Sequence, residues 1–403
     1  MTPEIYSEKR FGVNSDQLSK NALSVIAKLQ KEGFDAYIVG GGIRDLIKGL
    51  KPKDFDIVTN CQPNEIRKLF KNSRIIGRRF QLVHITFPNE VVETTTFRSG
   101  KNEDEESIQI NDGGRIVRDN MWGTQEEDVF RRDFTINSIY YNPFSKEVID
   151  YTAGVKDLKK KVIKFIGNPE QRIKEDPIRI LRAVRFASKL DFSIEKRALP
   201  IIKKYKAQIT EMPPARVYEE VIKLFLLGHG ERSYKILKEL GIFEILFPHT
   251  NYLNTNYDQF FESALRDTDQ RFHNNKTLNP GFLFATLLWP KIFEESEIDK
   301  KINFRKFYQT TANVIRRQQL ITAVPRRFTS FIKDVWMYQV RFNKIGKKSI
   351  SFSQSLRFRA AYDFLLIRKI LEPGLVEKID WWKEFKTANY DKKIRLLNLR
   401  KRR

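Results

Sequence analysis

The sequence predicts an α+β protein in which an N-terminal α/β head with a mixed sheet precedes all-helical neck, body and C-terminal domains. Up to about residue 150, short β-branched and aromatic runs alternate with glycine and proline. After Asp150, glycines become fewer and amphipathic helical spacing dominates almost to the end. A chain of 403 residues also exceeds one compact core of ordinary size.

The predicted elements of the head follow in order along the chain. Apolar residues at helical spacing predict a helix over residues 17–31, and the apolar run 36–39 predicts a strand. Gly40, Gly41 and Gly42 end that strand, IRDLIKGL is typical of a helix, and DFDIVT resumes β character. Further strands are expected at residues 74–77, 82–87 and 91–97.

Changes in composition predict four parts. These are an α/β head at 1–150, a helical neck at 151–230, a helical body at 231–390 and a basic tail at 391–403 that is as much a helix as a tail. Within the head, the polar and acidic segment 99–114 predicts an exposed loop, with ordered structure resuming near Asp128.

The charge balance predicts a polyanionic partner. Lysine and arginine number 74 against 50 aspartate and glutamate residues, a formal net charge of +24, and the cations become denser toward the C-terminus. Such an excess favours nucleic acid. Cys61 is the single cysteine, which excludes an internal disulfide framework and fits a reducing cytoplasm, and the first residues lack the pattern of a secretory signal.

Two aspartates in KDFDIVT form a candidate metal site. Asp54 and Asp56 are two residues apart, and on a β-strand that spacing directs both carboxylates to one face. Paired carboxylate oxygens suit Mg²⁺, although acidic pairs at this spacing also arise by chance in a charged chain. Glu93, on a neighbouring predicted strand, is the candidate third carboxylate; a solvent-facing strand glutamate is the alternative.

The residues before the pair can hold phosphates. Gly40 and Gly41 can offer backbone N–H groups, and Arg44 follows one helical turn later. Neither a GxxxxGK[ST] loop nor a GxGxxG turn occurs in this region. With two metal ions, one can activate a hydroxyl nucleophile while the other steadies a triphosphate, and in-line displacement then needs no protein nucleophile.

The segment VGGGIRDLIKGLKPKDFDIVT resembles the signature of the class II nucleotidyltransferases, which include bacterial poly(A) polymerases and CCA-adding enzymes. The resemblance continues in the family's order through RRDFTINSIYYNP, EDPIRILRAVRFASKL and PPARVYEEVIKLF, and covers residues 36–225. IIGRRFQLVHITF and several C-terminal segments, including VPRRFTSFIKDVWMYQVRF, resemble the bacterial poly(A) polymerase I family in particular.

The resemblance implies roles for individual residues. Asp54 and Asp56 match the catalytic metal ligands, and Gly40, Gly41 and Arg44 match residues that handle the triphosphate. Arg132 matches a residue that helps hold the nucleotide, and Asp133 matches one that contacts the ribose 2′-hydroxyl; a structural charge cluster is the alternative for both.

Asp176 and Arg179 resemble the protein template that pairs with the base edge. A carboxylate can accept from the adenine amino group and a guanidinium can donate to the adjacent ring nitrogen. Glu175 is expected to orient Arg179, and Arg182 to support the set. From spacing alone, Asp176 and Arg179 lie three apart on one helix and are equally an exposed pair.

Cations in the C-terminal half are candidate RNA contacts. Arg326 and Arg327 precede Trp336 and Tyr338, a pattern that fits either backbone contacts with base stacking or a helical core with outer cations. The basic tail supplies the remaining candidates for electrostatic capture, which are Lys392, Lys393, Arg400, Lys401, Arg402 and Arg403.

The resemblance therefore implies a cytoplasmic enzyme that adds AMP from ATP to RNA 3′ ends with two Mg²⁺ ions. The alternatives are a CCA-adding tRNA nucleotidyltransferase, which would share every catalytic residue, and an inactive RNA-binding relative. RNA 3′ ends and ATP are the expected partners. RNA-decay proteins are further expected partners, but no residue of the sequence identifies a contact with them. No apolar stretch is long enough to span a bilayer.

Overall fold

The computed structural model describes residues 2–77, 81–99, 108–110, 116–119, 121–248, 255–296 and 304–401. The chain divides into two compact units, Met1–Tyr205 and Lys206–Arg403. The first contains a large sheet with flanking helices and the second is helical throughout its described part, which confirms the α+β class. The predicted domain boundaries at residues 150, 230 and 390 stay predictions.

The first unit is built on one eight-stranded mixed sheet. Its order is β1-β10-β9-β2-β3-β6-β5-β4, and β3 runs parallel to β6 while every other neighbouring pair is antiparallel. Two small two-stranded sheets pair β7 with β8 and β11 with β12. The strands are β1 Glu4–Ser7, β2 Ala36–Val39, β3 Asp56–Thr59, β4 Ser73–Ile76, β5 Leu82–Phe87, β6 Glu90–Thr96, β7 Ile108–Ile110, β8 Ile116–Asp119, β9 Ile139–Asn142, β10 Glu147–Asp150, β11 Val162–Ile163 and β12 Ser193–Ile194.

Eight helices accompany these strands in the described part of the first unit. They are α1 Lys20–Lys31, α2 Gly41–Ile47, α3 Pro63–Leu69, α4 Gln125–Arg131, α5 Gly154–Lys160, α6 Pro169–Glu175, α7 Ile178–Leu190 and α8 Ala198–Tyr205. Helix α1 begins three residues later than predicted because Ser19 caps it, accepting a hydrogen bond from the Ala22 N–H at 2.9 Å. Its apolar stripe is buried, as the spacing predicts.

Two predictions about loops and helices need correction. Strands β7 and β8 form an antiparallel pair, so regular structure lies inside the predicted loop 99–114 and resumes well before Asp128. The rest of that loop, apart from Ser99, lies outside the described residues. Strands β11 and β12 also fall in the part predicted as all-helical, and they pair in parallel. A two-residue strand is too short to produce a recognisable alternation.

The second unit consists of helices around an aromatic core. They are α9 Pro214–Phe225, α10 Gly230–Glu239, α11 Phe243–Leu246, α12 Thr255–His273, α13 Pro280–Leu287, α14 Trp289–Ser296, α15 Phe304–Gln319, α16 Arg326–Arg341, α17 Ser349–Ser353, α18 Phe358–Arg368, α19 Val376–Thr387 and α20 Tyr390–Lys401. Phe342, Phe352 and Trp382 are buried in one cluster, and Leu397 of α20 joins it. The predicted basic tail is therefore a packed helix as far as residue 401. In the described ranges, no helix has the length and apolar character needed to cross a membrane.

Candidate active site

The glycine turn packs directly against the segment that carries the two aspartates. Gly40 has φ 74° and ψ −128°, which favours glycine, and it connects β2 to α2. A Cβ atom on Gly40 would lie 3.7 Å from Asp56 Oδ2, and one on Gly42 would lie 3.3 Å from the Asp54 carbonyl oxygen. The backbone of the turn and the Asp56 carboxylate thus line one small space.

The sheet register brings the predicted carboxylates together. Val39 pairs with Asp56 across β2 and β3, and Ile57 pairs with Thr94 across β3 and β6, which puts Glu93 beside Asp56. Asp54 precedes β3, so the prediction that both aspartates lie on a strand is wrong for Asp54. By residue exposure both nevertheless lie open to solvent on either side of the buried Phe55, so the alternation that the spacing predicts is kept. The Asp56 carboxylate itself lies against the Gly40 turn, which removes part of its hydration.

The electrostatics of this group favour a cation. The pKa of Asp56 is raised to about 6, mainly because its carboxylate is desolvated and secondly because Glu93 and Asp54 carry like charge. The positive charges of Arg132 and Arg44 oppose this rise. A carboxylate whose ionised form is disfavoured gains most from a bound cation. Glu93 is half exposed, and its Oε1 lies 3.3 Å from His84 Nε2, so it faces both solvent and Asp56.

The donor set fits a divalent ion that keeps much of its own hydration. In the described part of the chain, no group of three His, Cys, Asp or Glu side chains forms a complete metal cage. Mg²⁺ commonly takes only one or two carboxylates from the protein and completes its shell with water and substrate phosphates. Asp54 and Asp56 supply such a pair of hard oxygen donors, beside a turn that can hold phosphates.

Arg44 lies beneath the glycine turn and is held by the protein. It is buried, its Nε donates to Asp45 Oδ1 at 2.9 Å and its Nη1 donates to Asn137 Oδ1 at 2.7 Å. Its Nη2 lies 3.5 Å from the position of a Cβ on Gly41. The guanidinium therefore supports the turn from below and adds positive charge there, while its direct contact with a phosphate stays a prediction.

Arg132 belongs to a buried charge cluster, the alternative that the sequence left open, but its partners Asp128 and Tyr140 were not among the predicted residues. Its Nε and Nη2 donate to Asp128 Oδ2 at 3.0 and 2.8 Å, and Tyr140 Oη donates to the same oxygen at 2.8 Å. Burial alone would raise the pKa of Asp128, but Arg132, Arg131 and the Tyr140 hydroxyl hold it below its ordinary value. The i,i+4 spacing of Asp128 and Arg132 was the available signal.

Asp133 is joined to helix α7 by Arg182. Nε and Nη2 of Arg182 donate to Asp133 Oδ2 at 2.8 and 2.5 Å, while Asn137 Nδ2 and the Phe134 N–H donate to Oδ1 at 3.1 and 2.8 Å. Burial raises the pKa of Asp133, yet these donors lower it to about 2. The carboxylate is thus ionised and accepts four hydrogen bonds, about as many as a carboxylate can accept.

The predicted base-reading residues lie at a break between two helices. Helix α6 ends at Glu175 and α7 begins at Ile178, so the prediction that Asp176 and Arg179 share one helix is wrong. Pro177 explains the break, because a residue before proline is driven out of the helical region, and Asp176 has φ −152° and ψ 95°. Arg179 Nη1 donates to Glu175 Oε2 at 2.8 Å, which confirms that Glu175 orients it.

A second arginine fastens this break to the head. Nη2 of Arg172 donates to the carbonyl oxygens of Arg131 and Arg132 at 2.5 and 2.7 Å, and its Nη1 pairs with Glu175. Burial and the neighbouring Arg179 lower the pKa of Arg172 to about 10. An open cavity of about 720 Å³ lies alongside, with residues of α4 on one wall and Arg172 and Glu175 on the other. Its volume is within the range of small-molecule sites.

The predicted RNA-binding cations all lie in the second unit. Arg326 and Arg327 are exposed in the first turn of α16, with the Arg327 guanidinium 4.7 Å from the Phe328 ring centre. Trp336 is fully buried and its Nε1 donates to the Ala285 carbonyl at 3.0 Å, which excludes base stacking on its ring. Tyr338 is partly buried against Phe352. The pattern of cations and aromatics fitted either base stacking or a helical core with cations outside it. For Trp336 and Tyr338, the structure favours the helical core.

The cations of helix α20 contact different kinds of group. Lys392 Nζ lies 2.9 Å from Glu384 Oε1, Lys393 Nζ lies 3.4 Å from Ser353 Oγ, and Arg400 lies over the Trp381 ring with its Cζ 5.6 Å from the centre. Lys401 ends the helix, and its side chain lies outside the described residues, as do Arg402 and Arg403 altogether. The residues Arg78, Arg79 and Phe80 of IIGRRFQLVHITF also lie outside them.

Comparisons with known proteins agree with this architecture. Residues 36–164 match the family model described as "Poly A polymerase head domain", residues 191–253 match "Probable RNA and SrmB- binding site of polymerase A", and residues 301–403 match "Polymerase A arginine-rich C-terminus". Poly(A) polymerase I of Escherichia coli O6:H1 is 40% identical over 399 residues, which are 95% of this chain and 86% of that protein.

More distant relatives match a smaller part or the fold alone. The CC-adding tRNA nucleotidyltransferase of Halalkalibacterium halodurans is 35% identical over 231 residues, 57% of this chain and 55% of that enzyme. The solved structure of the Bacillus stearothermophilus CCA-adding enzyme in complex with CTP superposes with a TM-score of 0.62 at 22% identity, over 87% of this chain and 78% of that one. The resemblance in sequence is confirmed: the chain belongs to the poly(A) polymerase I family of nucleotidyltransferases.

Proposed function

We propose that the protein is a poly(A) polymerase that transfers AMP from ATP to RNA 3′ ends and releases pyrophosphate, in RNA 3′-end processing and turnover in the cytoplasm. One observation carries the proposal: the Asp56 carboxylate lies against the Gly40 turn, with Asp54 and Glu93 beside it. Metal ligands and a phosphate-binding backbone turn thereby share one space. That is what the displacement of pyrophosphate from a nucleoside triphosphate requires.

Asp54 and Asp56 would hold two Mg²⁺ ions, with Glu93 as an outer carboxylate. When bound, the ions supply Lewis-acid activation of the RNA 3′-hydroxyl and charge neutralisation on the leaving pyrophosphate. The 3′-oxygen forms a bond to the α-phosphorus, the bond between that phosphorus and the α,β-bridging oxygen breaks to release pyrophosphate, and the hydroxyl proton passes to solvent water. The aspartates orient the reactants, and no side chain has to act as nucleophile.

The chain's own residues would position the nucleotide. Backbone N–H groups of Gly40 and Gly41 face the triphosphate, and Arg44 supplies positive charge from beneath the turn. Asp133 accepts a hydrogen bond from the ribose 2′-hydroxyl, for which one of its present donors must be released. Arg132, fixed by Asp128, completes the nucleotide contacts.

Asp176 and Arg179 would read the adenine edge. The carboxylate accepts from the 6-amino group and the guanidinium donates to the neighbouring ring nitrogen, which gives two directional bonds. Arg179 is already fixed through Glu175 and the Arg172 carbonyl oxygen at 2.7 Å, so little conformational freedom is lost when it binds the base.

RNA would be held by cations of the second unit. Arg326 and Arg327 are exposed, and α20 displays several cations along its surface. The match of residues 191–253 to a probable RNA-binding and SrmB-binding region of polymerase A supports an RNA partner. RNA-decay proteins are further proposed partners, for which no residue of this chain is assigned. The salt dependence of RNA binding should follow the number of phosphates these cations contact.

A CCA-adding enzyme is the second candidate, since it would use the same catalytic residues. The match over 95% of the chain to a poly(A) polymerase I, against 57% to the CC-adding enzyme, favours the first candidate. An inactive RNA-binding relative would have no need to keep two aspartates, the glycine turn and an arginine fixed for base recognition in one place.

The deciding experiment supplies Mg²⁺ and each labelled nucleoside triphosphate in turn, with either an unstructured RNA or a tRNA that lacks its CCA end. Long tails made from ATP on the unstructured RNA are expected. Incorporation of CTP that stops after CCA on the tRNA would establish the second candidate. Absence of incorporation on both RNAs, with RNA binding intact, would point to the inactive relative.

A further inference from the structure

The second unit contains a cavity that the proposed catalytic residues do not use. It has a volume of about 360 Å³ and lies between the connection after α16 and helix α20. Asn343, Gly346 and Lys347 line it from the connection, and Asn398 and Arg400 line it from the helix. Small-ligand pockets typically begin at about 300 Å³, so the space is large enough for a planar ligand group.

The lining combines an apolar floor with two kinds of polar group. Ile345, Ile394 and Leu397 form the apolar part, and Leu397 belongs to the buried core of this unit. Each asparagine amide offers one acceptor oxygen and two donor hydrogens, which suits the polar edge of a nucleobase. Lys347 and Arg400 are cations, and the residues that line the cavity include no carboxylate.

The surroundings of the cavity add further positive charge. Lys378 Nζ donates to Asn343 Oδ1 at 2.5 Å, which fixes the orientation of that amide. Arg400 lies over the Trp381 ring, and Trp381 in turn stacks on Phe385 with ring centres 4.6 Å apart, so its guanidinium is held at the edge of the cavity. The ligand should therefore be anionic and should carry a flat, partly apolar ring with hydrogen-bonding edges.

We infer that this cavity binds a nucleotide of single-stranded RNA, with the base between the two asparagines and its phosphate on Lys347 and Arg400. Lys344 and Lys348 are also exposed in the same connection, so more than one phosphate of a chain is within reach of a cation. This feature favours a polynucleotide over a free nucleotide. The inference rests on the proposed function in taking RNA as the partner, and it assigns that partner a second contact apart from the reacting atoms.

A pair of glycine variants tests the cavity without changing charge. Gly346 has a backbone conformation open to any residue, and a Cβ there would meet nothing within 4 Å, so Gly346→Leu places a side chain at the cavity lining without a backbone clash. Gly374 has the same freedom, lies in the same unit and is not part of the lining, so Gly374→Leu is the matched control.

The measurement is the dissociation constant of a fluorescein-labelled unstructured 12-nucleotide RNA, by fluorescence anisotropy, with the full chain and without ATP. Gly346→Leu should weaken binding about fivefold or more, because losing one stacked or inserted base commonly has at least that effect. Gly374→Leu should bind as the parent does. Equal affinity for the two leucine variants would overturn the inference.

Two lysine variants and free AMP as a competitor complete the test. Lys347→Gln should weaken RNA binding more than Lys369→Gln, which removes the same charge from an exposed site outside the lining. Equal effects would mean general electrostatic attraction and would also overturn the inference. Displacement of the RNA by free AMP from the parent, but not from Gly346→Leu, would support it, because the two ligands would then compete for the cavity. AMP transfer to a saturating primer should be unchanged in Gly346→Leu, so failure of the proposed reaction itself is seen separately in the parent protein.

Discussion

The carboxylate of Asp133 accepts two hydrogen bonds from the guanidinium of Arg182, across N···O distances of 2.8 and 2.5 Å. Asp133 lies between α4 and β9, whereas Arg182 lies within α7, 49 residues later. The pair therefore joins the strand-rich part of the unit to the helix that carries Arg179. Disturbing it should affect stability and nucleotide positioning together.

Asp133→Asn should lower the free energy of unfolding by about 1 to 3 kcal/mol. Breaking a buried ion pair commonly costs more, roughly 3 to 5 kcal/mol, but Arg182 is 32% exposed and water can solvate its charge once it is unpaired. Urea denaturation of the parent and the variant at pH 7 measures the difference. A double-mutant cycle with Arg182→Gln isolates the pair, and strictly additive effects would show that the two residues are not coupled.

The same pair predicts a dependence of stability on pH. The pKa of Asp133 in the folded protein is about 2, below its ordinary value of 3.8, so the folded state binds its proton less tightly than the unfolded state does. Its contribution is fully present above pH 3.8 and is lost as the pH falls toward 2. The stability gap between the parent and Asp133→Asn should therefore narrow across that window, and a gap that stays constant down to pH 2 would contradict the assignment.

Ribose selection offers a functional test of Asp133. If its carboxylate accepts from the 2′-hydroxyl, Asp133→Asn should lose about 1.5 to 3 kcal/mol of the preference for ATP over 2′-deoxyATP, roughly ten- to a hundredfold in the ratio of kcat/KM. The ratio is measured by initial rates of single-nucleotide addition. Arg182→Gln keeps the carboxylate and so should retain more of the preference than Asp133→Asn.

Asp54→Asn and Asp56→Asn should each lower AMP transfer by about a thousandfold or more. Loss of a carboxylate ligand removes metal stabilisation worth several kcal/mol, and each 1.4 kcal/mol corresponds to a factor of ten. RNA affinity should be retained, since the candidate RNA-binding cations lie in other segments. Asp35→Asn, an exposed aspartate just before β2, is the control and should be fully active. Normal turnover in either test variant would remove that residue from the metal site.

Much of the head could be predicted because its signals are local. The strand at Ala36–Val39, the turn at Gly40 and the resumption of β structure by Asp56 follow from apolar runs and glycines that act within a few residues. The buried partners could not be predicted in this way. Asp133 and Arg182 are 49 residues apart, and the Asp128–Tyr140 contact depends on how α4 packs against β9.

One error and one open alternative have specific physical causes. The helical spacing of EDPIRILRAVRF suggested one continuous helix, but Pro177 breaks it and moves Asp176 into the junction. The cations of DKKIRLLNLRKRR left a tail and a helix equally open, and the helix forms because Leu397 is buried in the aromatic core and Leu396 packs against it. Composition shows where charge lies along the chain, but it does not show which apolar side chains pack into a core.

Replacing Arg179 tests base recognition. Arg179→Ala should lower kcat/KM for ATP about ten- to a hundredfold, because a charge-assisted bond to a ring nitrogen contributes roughly 1.5 to 3 kcal/mol. Glu175→Gln leaves the guanidinium in place but weakens its fixation, so we expect a smaller loss together with a narrower preference for ATP over CTP. Parallel rates with the two nucleotides measure both effects. An Arg179→Ala variant that keeps the parent's preference would assign base selection to other residues.

Charge on α20 should be tested by substitution and not by truncation. Deleting the residues after Asp391 would remove Leu397 from the core and confuse unfolding with lost RNA contacts. Arg395→Gln and Arg400→Gln keep the helix and remove exposed cations. Each lost phosphate contact should reduce the slope of log affinity against log salt by about 0.7 for single-stranded RNA, so the double variant should show a slope shallower by roughly 1.4. A slope equal to the parent's would place the electrostatic contacts elsewhere, with Arg326 and Arg327 of α16 the next residues to substitute, because they too are exposed cations of this unit.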